Sequence, residues 1–308
     1  MPGPALRGGG RLAAALLLLV TATWGSTFFL IRDLVQTVPS ADFLVVRFAV
    51  AAFAMGLVFH RQVAALTRRE VGLGLGLGVL FGCAQVLQTV GLEHTAASVS
   101  GFITGMYVVL TPLLGALLLR ERLPRVAWVA VALSTAGLAV LSLRGLTVGL
   151  GESLTLASAV LYALHILALG RWSTPARATG LAAVQAAGIV PVAGVAAIPG
   201  GLTLPADGGQ WASLLYMALV AGAFALWAQA FAQARVTATR AAIIMTMEPV
   251  FAALFAVVLG GEQATWRMLV GGALVLAAMY LVELRGGAAS PAATAQDEPP
   301  EPLLHHEV

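Results

Sequence analysis

Three ionisable residues lie inside long apolar runs of this 308-residue chain: Arg47, His165 and Glu248. If those runs cross a bilayer, charge at that depth is costly, and each residue is a functional candidate by default. Glu248 precedes Pro249. A proline frees a backbone carbonyl and kinks its helix, so carboxylate and carbonyl could together face a cavity and handle substrate or a proton. The competing reading makes Glu248 a structural partner of Arg47 or of a neighbouring hydroxyl. Arg47 could recognise an anion or carboxylate; it could instead form a structural ion pair or snorkel outward. His165 could carry a coupling proton, or simply join two helices.

Weaker polar groups recur at helical spacing. Ser100, Thr104, Tyr107 and Thr111 fall on one helix face, as do Ser158, Tyr162 and His165, and Gln85, Gln88 and Thr89 add a third cluster. Such stripes could line one aqueous cavity or serve as bonds between helices. Trp24, Tyr107, Tyr162 and Trp227 are the candidate aromatic walls. The cavity candidates are thus Trp24, Arg47, Gln85, Gln88, Thr104, Tyr107, Tyr162, His165, Trp227 and Glu248. Pro112 and Pro249 are the candidate helix kinks.

The elements that must position these residues follow from composition. Hydrophobic residues make up 59% of the chain and charged residues 10%, against about 25% charged in a soluble domain. This predicts an all-α integral membrane protein. Every basic residue is arginine, 17 in all. They are dispersed between apolar runs without a basic stripe, which argues against nucleic acid as a partner. Cys83 is the only cysteine, so no intrachain disulfide or cysteine metal site can form. His305 and His306 sit in a polar, proline-rich tail from Gly286 that is expected to be disordered. No metal and no cofactor are expected.

Apolar segments fall near 11–31, 41–60, 70–90, 96–119, 125–143, 151–170, 178–198, 211–232, 238–259 and 264–284. Each is long enough to cross about 30 Å of hydrocarbon as a helix. With a cytoplasmic N-terminus, thirteen arginines fall on the cytoplasmic side and three (Arg32, Arg144, Arg267) on the outer side, with Arg47 inside a span. The positive-inside rule then puts both termini in the cytoplasm.

The chain also repeats itself. Shifted by 141, residues 80–141 fall on 221–282, which sets Gln88 on Gln229, Glu121 on Glu262 and Tyr107 on Glu248. A shift of 138 sets Trp24 on Tyr162 and Arg47 on Gln185. Residues 11–143 and 151–284 are then two five-helix repeats, with residues 1–10 and 286–308 as cytoplasmic ends. An odd number of spans inverts the second repeat relative to the first. Inverted repeats are the architecture of alternating-access carriers, with substrate near the midplane. Glu121 and Glu262, at helix ends beside arginines, read as topological and packing elements.

Other classes are weaker. The chain contains no GxxxxGK[ST] run and so no sign of ATP machinery. It has no HExxH, Glu93-His94 lacks zinc spacing on one helix face, and the run from Ser98 to Gly101 lacks the first glycine of a nucleophile elbow. An intramembrane enzyme is therefore disfavoured. A membrane sensor or assembly subunit is the other alternative, but it leaves the inverted duplication unexplained.

The run from Pro249 to Glu262, followed by Gly271, Leu274 and Ala278, resembles the repeat signature of the EamA-type drug/metabolite transporter superfamily. Glu121, Leu123, Ala130, Leu133 and Gly137 give the pattern again. The stretches Ala22–Phe28 and Val46–Ala49 resemble that family's first two helices. The likeness covers about residues 12–284. It implies a ten-helix inner-membrane carrier, usually an exporter of small metabolites such as amino acids, or of drugs. One departure is Val108, where the family has proline. Pro112 follows one turn later, so the fourth helix need not kink at the depth of the ninth.

Overall fold

The computed structural model describes residues 4–119, 125–142, 148–174, 176–198, 201–233 and 244–286. Glu121, the start of the ninth expected segment and the proline-rich tail lie outside the described residues.

Lipid offers backbone groups no hydrogen bonds, so each crossing segment satisfies its own as a helix. The helices are α1 (Pro4–Leu34), α2 (Ser40–Val58), α3 (His60–Ala64), α4 (Arg68–Leu92), α5 (Ala97–Gly105), α6 (Tyr107–Leu119), α7 (Arg125–Ser142), α8 (Leu150–Trp172), α9 (Ala178–Ala197), α10 (Gly208–Leu215), α11 (Ala225–Gln233), α12 (Glu248–Val258) and α13 (Trp266–Gly286), with a π-helical stretch at Tyr216–Phe224 between α10 and α11. Among the described residues, seven segments are long and apolar enough to span a bilayer alone, and the shorter apolar helices α7, α12 and α13 stand at the fifth, ninth and tenth expected positions. α4 starts on a capping box: the Thr67 side chain accepts from Glu70 N, and Glu70 returns the bond to Thr67 N.

Among the described residues, two spans are broken rather than continuous. The fourth is α5 plus α6, parted at Met106. The ninth is interrupted at Thr246–Met247, immediately before α12. These breaks coincide under the 141-residue shift, so both spans break at the same depth although residue 108 is valine. Pro249 does not kink a helix; it lies in the first turn of α12, where its missing N–H costs nothing. Pro112 lies within α6, six residues past the break at Met106.

The helix ends show how the halves face. α1 runs from a proximal face to a distal one. At the distal face Ser40 Oγ, at the start of α2, donates to Glu93 at the end of α4. Two residues on, Thr95 Oγ1 donates to Glu152 Oε1 in the first turn of α8 at 2.9 Å. The second half thus starts at the face where α1 ends, and the halves are inverted. Packing respects the exchange of halves. α1 packs on α11 as α8 packs on α4, and α1 on α12 as α8 on α6. The pairs α2–α9 and α7–α13 map onto themselves.

Small residues set these contacts. Of the alternating glycines of α4, Gly74 and Gly78 face α9. A Cβ on Gly74 would lie 2.8 Å from Val184 Cγ1, and one on Gly78 would lie 2.7 Å from Gly188 Cα. Gly72 and Gly76 meet nothing within 4 Å. The stripe is therefore one contact face, which lets two helices approach closely in lipid. The distal half is filled by a buried core that includes Ile31, Phe43, Leu44, Leu92, Ile189, Leu214 and Ala256. That core includes Phe28 and Phe48, which also line a polar cavity.

Candidate substrate cavity

The cavity lies where the breaks in the fourth and ninth spans meet the middles of α1, α2, α4, α8 and α11. α1 contributes Trp24, Thr27 and Phe28; α2 contributes Arg47 and Phe48; α4 contributes Phe81, Gln85 and Gln88. Thr104 and Tyr107 flank the break at Met106, and Met245 and Glu248 flank the break at Thr246–Met247. Tyr162 and His165 enter from α8, Ala221 and Gly222 from the π-helical stretch, and Leu226 and Gln229 from α11.

Trp227 is a correction to the sequence reading: it does not line the cavity. Its ring packs on Phe59 (centroids 6.4 Å apart), Phe224 and Phe231. Leu226 and Gln229 are three apart and share the inward face of α11, which turns Trp227 about 100° away from it. The polar stripes also divide. Thr104 and Tyr107 reach the cavity, whereas Thr111 Oγ1 donates back to Tyr107 O at 2.7 Å and Ser158 Oγ to Thr155 O at 2.7 Å. Ser100 lies 3.5 Å from Thr155 Oγ1, away from the cavity. Thr89 Oγ1 is the one fully buried side-chain polar atom without a partner among the described residues.

Arg47 is 4% exposed. Its Nε donates to Met217 O at 3.2 Å and its Nη1 to Gln85 Oε1 at 3.5 Å. The Phe43 and Phe48 rings lie 5.7 and 5.0 Å from its guanidinium carbon, close enough to stabilise the cation through their faces. Among the described residues it forms no ion pair with a carboxylate. The snorkelling reading fails, because the side chain turns inward. Glu248 is 6% exposed, and its Oε2 accepts from the Tyr107 hydroxyl at 3.1 Å. The Arg47–Glu248 pair weighed from sequence is absent; the group that meets the Glu248 carboxylate is the Tyr107 hydroxyl.

A directed chain of bonds links these groups. Arginine can only donate, so Gln85 presents its oxygen to Arg47 and its nitrogen to Tyr162 Oη, 2.6 Å away. Tyr162 must then donate onward, to Gln88 Oε1 at 3.1 Å, and Gln88 Nε2 donates to Thr104 Oγ1 at 3.0 Å. His165 Nε2 lies 3.1 Å from Gln185 Oε1, on the residue of α9 that corresponds to Arg47. Trp24 Nε1 donates to Ala221 O at 2.9 Å. The two backbone carbonyls used here, of Met217 and Ala221, both belong to the π-helical stretch. Such turns recur at functional sites.

Glu262 has a specific role that the sequence reading did not give it: it binds Arg32 and the start of α5. Gln229 was visible as the repeat partner of Gln88, and an amide inside an apolar run was signal enough to place it in the cavity. Phe28, Phe48, Phe81 and Met245 carried no signal, since apolar residues are everywhere in this chain.

The profile of the EamA-like transporter family matches the chain twice, over residues 11–143 and 149–284. The chain belongs to the EamA-like transporter family. It is similar to an uncharacterized transporter of Archaeoglobus fulgidus, with 30% identity over 277 residues, 89% of this chain and 87% of that one. It is also similar to a probable amino-acid metabolite efflux pump of Salmonella typhimurium, with 28% identity over 283 residues, 86% of this chain and 93% of the relative. A crystal structure shares the fold at a TM-score of 0.62, with 20% sequence identity over 88% of this chain and 96% of that one. In this EamA-like chain the broken fourth and ninth spans, the inverted halves and the buried polar cavity belong to one membrane transporter.

Proposed function

We propose that this transporter exports small metabolites, amino acids or drugs across the plasma membrane by alternating access, with the midplane cavity as its substrate site. The observation that carries this reading is the pairing of poles in that cavity: among the described residues Arg47 has no carboxylate partner, and Glu248 accepts from the Tyr107 hydroxyl. A zwitterion would satisfy both, its carboxylate on the guanidinium and its ammonium on Glu248. Phe28, Phe48, Phe81 and Trp24 would cover its apolar part. The likeness to an amino-acid metabolite efflux pump supports the same substrate class.

The repeats at 11–143 and 151–284 would rock against each other about the cavity. The arginine excess on the proximal face supports cytoplasmic termini. His165 and Glu248 are the cavity groups able to take up a proton, which makes a proton the candidate coupling ion. The test is purified protein in sealed proteoliposomes loaded with a panel of radiolabelled amino acids, with and without an imposed pH gradient. Efflux above that of protein-free liposomes, lost in Glu248→Gln at equal reconstitution, supports the reading. Flux indifferent to that substitution sinks the site.

A further inference from the structure

α5 and α12 are half-length helices that lie side by side in the distal half of the membrane, and they are clamped at both ends. At the inner end, Glu248 begins α12 and accepts from Tyr107, just past α5, at 3.1 Å. At the outer end, Gly261 takes a left-handed conformation (φ 70°) that non-glycine residues rarely adopt, and the chain folds back over α5. Glu262 then occupies the N-terminus of α5. Its Oε1 accepts from Ala97 N at 2.7 Å, and its Oε2 from Ser98 Oγ at 2.5 Å and Ser98 N at 3.3 Å. Arg32 closes the cluster, with Nη1 donating to Glu262 Oε1 at 2.8 Å and Nη2 to Gly260 O at 2.7 Å. Between the clamps, Gly25 of α1 lies against Phe251 and Ala252 of α12, and Gly101 of α5 against Ala252, so the three helices approach closely on glycine faces.

From this arrangement we propose that the Arg32–Glu262–Ser98 cluster is the lock of a distal gate formed by α5 and α12. The inference rests on the transport reading. The two helices end at the midplane breaks, Met106 and Thr246–Met247, which serve as hinges. The lock lies at the membrane edge, where water can take over its bonds when it opens, whereas the Gly25–Ala252–Gly101 contact slides on its glycine faces. Glu248 ties the lock to the cavity. The carboxylate that faces substrate also holds the inner end of α12, so a cationic group bound there competes with Tyr107 and loosens the pair. Glu262 and Arg32 are therefore positioning residues for the transport cycle.

The test places a reporter cysteine at Thr27, a cavity position on α1, in a Cys83→Ser background. A membrane-impermeant maleimide is applied from either face, in whole cells and in inverted vesicles. Glu262→Ala is expected to raise the distal labelling rate by about tenfold or more, the scale of losing charge-assisted bonds, while proximal labelling holds or falls. Ser98→Ala should give a smaller rise in the same direction. Glu152→Ala, which breaks the distal tie to Thr95 outside the gate, should leave the rate unchanged. An unchanged distal rate in Glu262→Ala overturns the proposal. So does an equal rise in Glu152→Ala or a rise from both faces, which marks general loosening. Labelling needs no substrate, so absent flux tells against the transport reading while this readout judges the gate alone.

Discussion

Tyr107 donates to Glu248 at 3.1 Å, and the two residues are separated by the 141 positions of the repeat. Equivalent positions of two inverted halves can meet only near the axis that relates them, so this bond marks the axis at the cavity. A second correspondence agrees. Trp24 of α1 bonds Ala221 between α10 and α11, while its counterpart Tyr162 of α8 bonds Gln85 and Gln88 of α4. The frame is symmetric, but the chemistry is not: each half supplies a different group at equivalent points.

Replacing Glu248 with glutamine keeps an acceptor for Tyr107 and removes the charge. Efflux of the panel amino acid is expected to fall by about tenfold or more, the scale of losing one charge-assisted contact. The chain should remain folded, as size-exclusion chromatography of the purified variant would show. Unchanged efflux would remove Glu248 from the site.

Arg47 is expected to tolerate lysine poorly, because an ammonium cannot reproduce the planar fork that reaches Met217 O and Gln85 Oε1 while also meeting the proposed substrate carboxylate. Arg47→Lys should raise KM by about tenfold with a smaller change in kcat, as expected for lost ground-state binding. Arg47→Met should also destabilise by about 1–3 kcal/mol, since it strips a donor from buried acceptors. Proteoliposome kinetics and thermal unfolding in detergent separate these two effects.

Tyr162 is the hub of the bond chain. Tyr162→Phe leaves Gln85 Nε2 and Gln88 Oε1 without the partner each now has. The expected cost is about 1–3 kcal/mol, the desolvation penalty of unmet buried groups, read as a lower unfolding midpoint in detergent. A midpoint equal to wild type would mean that water already satisfies both amides.

Glycines of α1 and α4 should differ sharply. A Cβ at Gly25 would lie 2.6 Å from Phe251 Cβ and 2.8 Å from Ala252 N. Gly25→Ala is therefore expected to destabilise by about 1–3 kcal/mol through overpacking. Gly72 has open space within 4 Å, and Gly72→Ala should be neutral or stabilising by up to about 1 kcal/mol, the helix-propensity gain. Parallel thermal unfolding of the two variants checks both.

The sequence by itself determined the solvent, the helices and the inversion. A chain with 10% charged residues has no surface to offer water, lipid leaves helix as the only form for long apolar runs, and an odd number of spans per repeat turns the second half over. It also marked Arg47, His165 and Glu248, because a charge stands out against lipid. Only the tertiary structure decided which polar groups meet. It gave Glu248 to Tyr107 rather than Arg47, joined His165 to Gln185, turned Trp227 away from the cavity, chose Gly74 and Gly78 over Gly72 and Gly76, and broke the fourth span at Met106 without a proline. The reason is physical. In water, an apolar stripe tells which face of a helix looks inward. Here the lipid-facing and protein-facing sides are equally apolar, so helix rotation is set by close packing and hydrogen bonds between spans, and these exist only once the spans have met.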